Sequence, residues 1–432
     1  MIIEFSVKNF RSVKDLQTIS FVSSGLKSPK DYAFIDTDNI SKIGKNKIFK
    51  TAGIYGANAS GKSNILKAFD YFIKAIVNEP SSLSNMENLC DPFLYQDDCE
   101  NLESFFQIVL LVNKEKFRYG FTVKKNPKPK PDDTSVAYSS EIITNEWLFG
   151  KREKNFGELF LRTERKIKNN LPIQQIIPPI PYEHSLFISH VDAYDNDNVC
   201  QSIRGYLRGM VTTNINSDNH EKFRWLSVNY ISNKVKEEHK EDLLRFFSTF
   251  NLNYNDIALE KEPELNKIYP QNKVTFLKEN THSKKNTERI SLNLDKNESA
   301  GTQKLFDIAG LFLRAFRLKA PAFIVLDEID SNFHPALLIK LVKLFNTPSI
   351  NKSNSQLLFT SHDTNLMSPS IMRRDQFYFA EKKEDESTRL YSLADLKGIR
   401  NDADFAKQYL AGYYGALPIL EDNLEEKEQI NG

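Results

Sequence analysis

The octapeptide Gly56-Ala57-Asn58-Ala59-Ser60-Gly61-Lys62-Ser63 fits the pattern G-x-x-x-x-G-K-[ST] without a mismatch. Its glycines let the backbone curl so that successive N–H groups face one concavity. The following helix adds the positive end of its dipole. In such a loop Lys62 reaches the β- and γ-phosphates of ATP, and the Ser63 hydroxyl holds Mg²⁺. Gly56, Asn58, Ser60, Gly61 and Asn64 complete the phosphate-binding candidates. A chance glycine turn would lack the context seen here, with the apolar strand TAGIY before the loop and an apolar-striped helix after it. The second chemical element is 322-AFIVLDE-328. An apolar strand ending in an acid places Asp327 on the Mg²⁺ shell. Glu328, next in line, can polarise an attacking water as general base. Alone this acid pair says little. Together with the phosphate loop it indicates hydrolysis of ATP to ADP and phosphate rather than binding alone.

These residues need a scaffold that alternates strands and helices. IIEFSVK (2–8) and the stretch VKDLQTISFV read as an N-terminal hairpin around the turn NFRS. Leu66, Phe69, Ile73 and Ile76 mark one face of a helix from about Lys62 to Val77. Residues 90–165 are β-rich, and in KFRYGFTV the residues Phe117, Tyr119, Phe121 and Val123 share a face at period two. The lysine- and proline-rich stretch 124–133 reads as an exposed loop. Residues 195–250 turn helical. The strands VTFL and RISLNL follow, then a helix after Gly301, the strand AFIVLDE, a helix from about Pro335, and the strands QLLFTSH and QFYFAEK. That alternation predicts an α/β fold with a parallel core. The expected organisation is an N-terminal lobe over 1–165, a mainly helical insertion over 166–255, a C-terminal lobe over 256–420 and a frayed tail over 421–432.

Bulk properties narrow the setting. The 432 residues carry a formal net charge of +1, which gives no reason to expect strong nonspecific nucleic-acid binding. Cys90, Cys99 and Cys200 show no CxxC spacing, which argues against a disulfide framework or a zinc site. No apolar run is long enough to cross a membrane, and the first residues do not read as a signal peptide, so the expected location is the cytoplasm.

Lys62 and Asp327 stand 265 residues apart (327 − 62). A long insertion between the two motifs resembles the ATP-binding-cassette class, in particular its SMC, Rad50, RecF and overcoming-lysogenization-defect-like branch. That resemblance implies further roles. The element 297-NESAGTQKLF-306 resembles the signature that opens a helix, where Ser299 and Gly301 would cap the γ-phosphate held by another subunit. Read alone, Ser299 is an ordinary helix N-cap. The loop 329-IDSNFHP-335 resembles the D-loop, with Asp330 at the dimer interface. His362, at the end of QLLFTSH, would contact the γ-phosphate and the water. Arg11 in NFRS would reach the nucleotide, and Gln96 is the one candidate for a Q-loop glutamine.

Two more stretches, 373-RRDQFYFAEK-382 and 408-QYLAGYYGALP-418, resemble the ATPases of bacterial anti-phage abortive-infection systems, such as phage anti-restriction-induced systems. That resemblance implies a homodimer closing around ATP, with higher assembly open. It also implies a separately encoded effector, of which a TOPRIM-type nuclease is the expected kind, and a phage trigger protein. A RecF-like DNA-repair ATPase and a nucleotide-locked scaffold stand as the alternatives, the first requiring salt-sensitive DNA binding.

Overall fold

In the computed structural model the strand before the phosphate loop lies inside a six-stranded sheet, covered on both faces. The structure describes residues 1–126, 140–152, 155–214, 220–232, 237–261, 272–279 and 289–418. The chain opens with the antiparallel hairpin β1 (Ile2–Lys8) and β2 (Gln17–Ser20). A single helical turn α1 (Ile35–Asp38) and a second hairpin, β3 (Ile40–Ile43) and β4 (Asn46–Phe49), lead into β5 (Thr51–Tyr55). Helix α2 (Lys62–Val77) follows the phosphate loop. Then come β6 (Ser104–Val112), β7 (Glu115–Lys125), β8 (Glu141–Arg152), β9 (Asn155–Thr163) and β10 (Lys166–Asn169). With the first hairpin they form an antiparallel sheet in the order β10-β9-β8-β7-β6-β1-β2.

Helices α3 (Phe187–Val191) and α4 (Val199–Arg208), strand β11 (Val211–Asn214), and helices α5 (His220–Ser232) and α6 (Glu237–Ser248) come next. Strands β12 (Asp256–Lys261), β13 (Asn272–Glu279) and β14 (Arg289–Asn293) make a small antiparallel sheet. The one-turn α7 (Leu294–Asn297) precedes α8 (Ala300–Arg317). The chain continues through β15 (Phe323–Asp327), α9 (Pro335–Asn346), β16 (Gln356–Thr360), β17 (Phe377–Lys382), β18 (Thr388–Ser392) and α10 (Phe405–Leu410). The six-stranded sheet has the order β11-β15-β16-β5-β17-β18, parallel except at the edge strand β18. The architecture is therefore α/β, with a mixed central sheet and flanking helices, consistent with a P-loop NTPase.

Period-two alternation sends the side chains of this sheet into two cores. Ala52, Ile54, Phe323, Val325, Leu358 and Tyr378 face one, while Tyr55, Ile324, Leu326, Leu357, Phe359 and Phe377 face the other. Helix α2 is wedged between the two large sheets. Phe69 meets Phe5 of β1 at 5.0 Å and Phe323 of β15 at 5.1 Å, and Phe72 stacks on Phe121 of β7 at 5.3 Å. Burying such a ring contributes about 1.5–3 kcal/mol, so α2, and with it the loop it follows, is anchored from both sides. Helix α8 is anchored against α5. Gly310 leaves no room for a Cβ, which would stand 2.4 Å from Ser227 Cα, and Arg224 Nε donates to Asp307 Oδ1 at 2.5 Å.

The N-terminal hairpin, the buried face of KFRYGFTV and the helix of residues 62–77 lie where the periodicity places them. The segment 166–255 is not only helical. Its VTTN becomes β11, pairing in parallel with β15 at the edge of the central sheet. Its β-branched Val211, Thr212 and Thr213 favour a strand, but four residues are too few to show a period, and the neighbouring ladder fixes the pairing. The lysine-rich stretch from 127 onward and the tail 421–432 lie outside the described residues. Among the described residues no helix is long and apolar enough to cross a membrane.

Candidate functional site

Strands β15, β16 and β5 lie side by side and run in parallel, so their C-terminal ends open on one crevice. The loop after β5 is the glycine octapeptide. Gly56 sits at φ +148, and a Cβ there would stand 2.2 Å from the Ala380 carbonyl oxygen. Gly61 sits at φ +96 and precedes α2, with space closed by Thr388 Oγ1 at 1.9 Å. Both positions need glycine for conformation and for room.

Among the described residues the backbone amides of Gly61, Lys62 and Ser63 have no acceptor within the protein. They follow one another at the head of a 16-residue helix, which is the donor set an oxyanion of phosphate requires. Asn58 stands exposed at the loop apex, and Ser63 is half-buried in the first helical turn. Ser60 is buried, its hydroxyl without a partner among the described residues. Lys62 Nζ donates to the carbonyls of Gly56 at 2.9 Å and Ala57 at 2.8 Å. Burial lowers its pKa, while Asp327, Glu328 and Asp330 pull the other way. The acids at and after the end of β15 thus already act on its ammonium across the crevice.

Asp327 is buried at the end of β15. Thr360, at the end of β16, donates to Asp327 Oδ1 at 2.5 Å and accepts the Glu328 N–H at 2.7 Å. One hydroxyl therefore holds the Asp327 carboxylate and the backbone of Glu328. Glu328 has φ +50, a left-handed conformation that is costly for a non-glycine residue and is held here by that bond. Asp330 Oδ2 accepts the His362 N–H at 3.1 Å, and its Oδ1 is buried without a partner among the described residues. Partial desolvation of the His362 ring, and then the Lys62 ammonium, lower its pKa against the pull of Asp330, Glu328 and Asp327. A lowered pKa leaves the imidazole neutral at pH 7, able to donate one hydrogen bond and accept another.

The crevice thus gathers Gly56 to Asn64, Asp327, Glu328, Asp330 and His362. Ser63 and Asp327 are the oxygen donors suited to Mg²⁺, which favours a few protein oxygens with phosphate and water completing its shell. Ser299 and Gly301 lie against the 329–335 loop. The Ser299 hydroxyl accepts the Thr302 N–H at 3.3 Å, capping α8, and a Cβ on Gly301 would stand 3.1 Å from the Asn332 carbonyl oxygen. Among the described residues no hydrogen bond joins them to the phosphate loop.

Arg11 Nε pairs with Asp91 at 2.8 Å, and its guanidinium lies 5.6 Å from the Tyr71 ring centroid. The NFRS turn meets the loop through Ser12 instead, whose Oγ accepts from Asn64 Nδ2 at 2.8 Å and from Thr388 Oγ1 at 2.8 Å. Gln96 is exposed. Residue reading also passed over Thr360 and Lys304. Lys304 is buried on α8, donates to the Ser331 carbonyl and lies 5.2 Å from the Phe333 ring centroid. Burial brings its pKa to about 8, against the pull of Asp330 and Glu328. A lysine on the apolar face of a helix, three residues after Gly301, was the available signal.

Residues 52–368 match the family model described as "AAA domain, putative AbiEii toxin, Type IV TA system". That span runs from β5 past His362 and takes in every element of the crevice. No curated protein matches the chain.

Proposed function

The chain belongs to this AAA-domain family linked to abortive infection and toxin–antitoxin systems, and on that premise we propose that it is an ATP-hydrolysing switch of the ATP-binding-cassette type. Two copies close around ATP and, by closing and reopening, control a separately encoded effector. The observation that carries the reading is the convergence at the C-terminal ends of β15, β16 and β5 of three acceptor-free amides, the Lys62 ammonium and an acid pair tied to one hydroxyl, Asp327 by its carboxylate and Glu328 by its backbone.

The loop amides and Lys62 bind the triphosphate, Lys62 exchanging its own loop carbonyls for phosphate oxygens. Mg²⁺, when bound, neutralises charge between the phosphates. Ser63 and Asp327 supply its protein oxygens, with Asp327 held in place by Thr360. Glu328 takes the proton of the attacking water. His362, held at its backbone by Asp330, orients that water and the γ-phosphate. Ser299 and Ala300 stand exposed at the head of α8, so its N-terminal amides can serve the nucleotide of a second copy. Neither face alone completes the site. ATP therefore favours the closed pair by its higher affinity for it, and hydrolysis reopens it.

The effector half of the proposal rests on the family and on the abortive-infection resemblance of RRDQFYFAEK and QYLAGYYGALP. Its test is affinity capture of tagged Glu328→Gln protein from the native host, since that variant should linger closed with its partners. The expected result is enrichment of a nuclease-like protein, TOPRIM-type in the resembled systems. Recovery of DNA and repair proteins alone would instead favour a RecF-like role, to be followed by salt-dependent DNA binding.

A further inference from the structure

The two stretches that mark the abortive-infection resemblance take no part in the chemistry above, yet both end against the phosphate loop. In RRDQFYFAEK the Ala380 carbonyl presses on Gly56, where a Cβ would stand 2.2 Å away. In QYLAGYYGALP the Ala416 carbonyl accepts the Ala57 N–H at 2.9 Å. Ala57 is the second residue of the octapeptide, so a backbone group near the chain's C-terminal end fixes the loop where its curl begins.

The turn that delivers this carbonyl is held from several directions. Gly412 sits at φ +84, Gly415 at φ +72 and Ala416 at φ +57. A non-glycine residue keeps a left-handed conformation only when its surroundings over-determine it. Here Glu381 Oε1 accepts the Ala416 N–H at 3.3 Å, and Tyr391 Oη donates to the Tyr414 carbonyl at 2.5 Å. Tyr409 Oη donates to the Ala416 carbonyl itself at 3.2 Å. Phe379 packs between Tyr409, at 5.4 Å, and Tyr414, at 5.6 Å. Strands β17 and β18 thus grip the turn, and the turn grips the loop.

We propose that residues 412–418 form a clamp that pre-shapes the phosphate loop, with Glu381 and Tyr391 as positioning residues for ATP binding. The Ala57 bond holds the loop curled, so that the amides of Gly61, Lys62 and Ser63 converge before nucleotide arrives and less ordering is left for binding to supply. This rests on the nucleotide-binding reading of the site. The clamp makes the C-terminal segment part of the nucleotide site through a backbone carbonyl.

The test compares wild-type protein with Gly415→Val, Glu381→Ala and Glu381→Gln. A Cβ at Gly415 would stand 2.7 Å from Glu381 Oε1 and 2.8 Å from Tyr391 Oη, so valine displaces the turn. Glutamine at 381 keeps an acceptor for the Ala416 N–H, and alanine does not. Hydrogen exchange should show the amides of Ala57 and Ser60 losing protection by about tenfold in Gly415→Val and Glu381→Ala, while helix residues 66–77 stay protected. The KM for Mg·ATP should rise about tenfold with kcat within about twofold, and Glu381→Gln should match wild type. Should Gly415→Val fail to fold, the Glu381 pair decides. Unchanged protection of Ala57 and Ser60 in folded Gly415→Val or Glu381→Ala would overturn the clamp, even with ATP binding intact. Wild-type protein that binds no ATP would overturn the nucleotide reading instead, and the exchange result would still judge the clamp.

Discussion

Glu328→Gln should bind Mg·ATP as wild type does and hydrolyse it about 10²–10⁴-fold more slowly. The substitution keeps shape and leaves the backbone alone, so the Glu328 N–H still reaches Thr360 Oγ1 and Asp327 keeps its donor. What it removes is a carboxylate able to take a proton. Residue 328 also sits at φ +50, an arrangement that fixes where its side chain leaves the strand. Phosphate release under saturating ATP is the measurement, with nucleotide affinity measured alongside. Equal and near-zero rates in both proteins would make the chain a nucleotide-locked scaffold. Equal and substantial rates would move the general base to another group, with Asp330 and His362 the nearest choices in the crevice.

Lys62→Ala should raise the Kd for ATP by at least about 100-fold. Lys62 is buried with its ammonium on the carbonyls of Gly56 and Ala57. Two charge-assisted hydrogen bonds to phosphate, at about 1.5–3 kcal/mol each, account for a loss of that size. Alanine also removes one positive charge that faces Asp327, Glu328 and Asp330, which raises their repulsion of the triphosphate. Helix α2 keeps Phe69 and Phe72 in their aromatic contacts, so the fold should survive. Titration with a fluorescent ATP analogue checks this. Wild-type affinity in the variant would sink the phosphate-loop assignment.

The parts of this site that could be read in the sequence are the local ones. GANASGKS needs its glycines within one turn, and AFIVLDE and LLFTSH announce themselves as apolar runs ending in polar groups. The α/β class followed from the same runs. What escaped is what distant segments do to one another. Thr360 reads as a β-former in a buried strand; only its position beside β15 lets its hydroxyl hold the Asp327 carboxylate and the Glu328 backbone. Arg11 is the eye-catching residue of NFRS, yet Asp91 captures it and Ser12 makes the contact. The Ala416 carbonyl carries no signal at all, since every residue has one. Strand β11 belongs to the same class, with a ladder partner more than a hundred residues away.

The switch itself is tested most directly by the solution mass of Glu328→Gln protein without nucleotide, with Mg·ADP and with Mg·ATP, beside a Ser299→Arg, Glu328→Gln double variant. Arginine at the exposed head of α8 should leave ATP binding to a single copy intact and block the partner's approach. The expected result is a doubling of mass with Mg·ATP only, abolished in the double variant. A mass that ignores ATP, or a double variant that still closes, would contradict the shared nucleotide site.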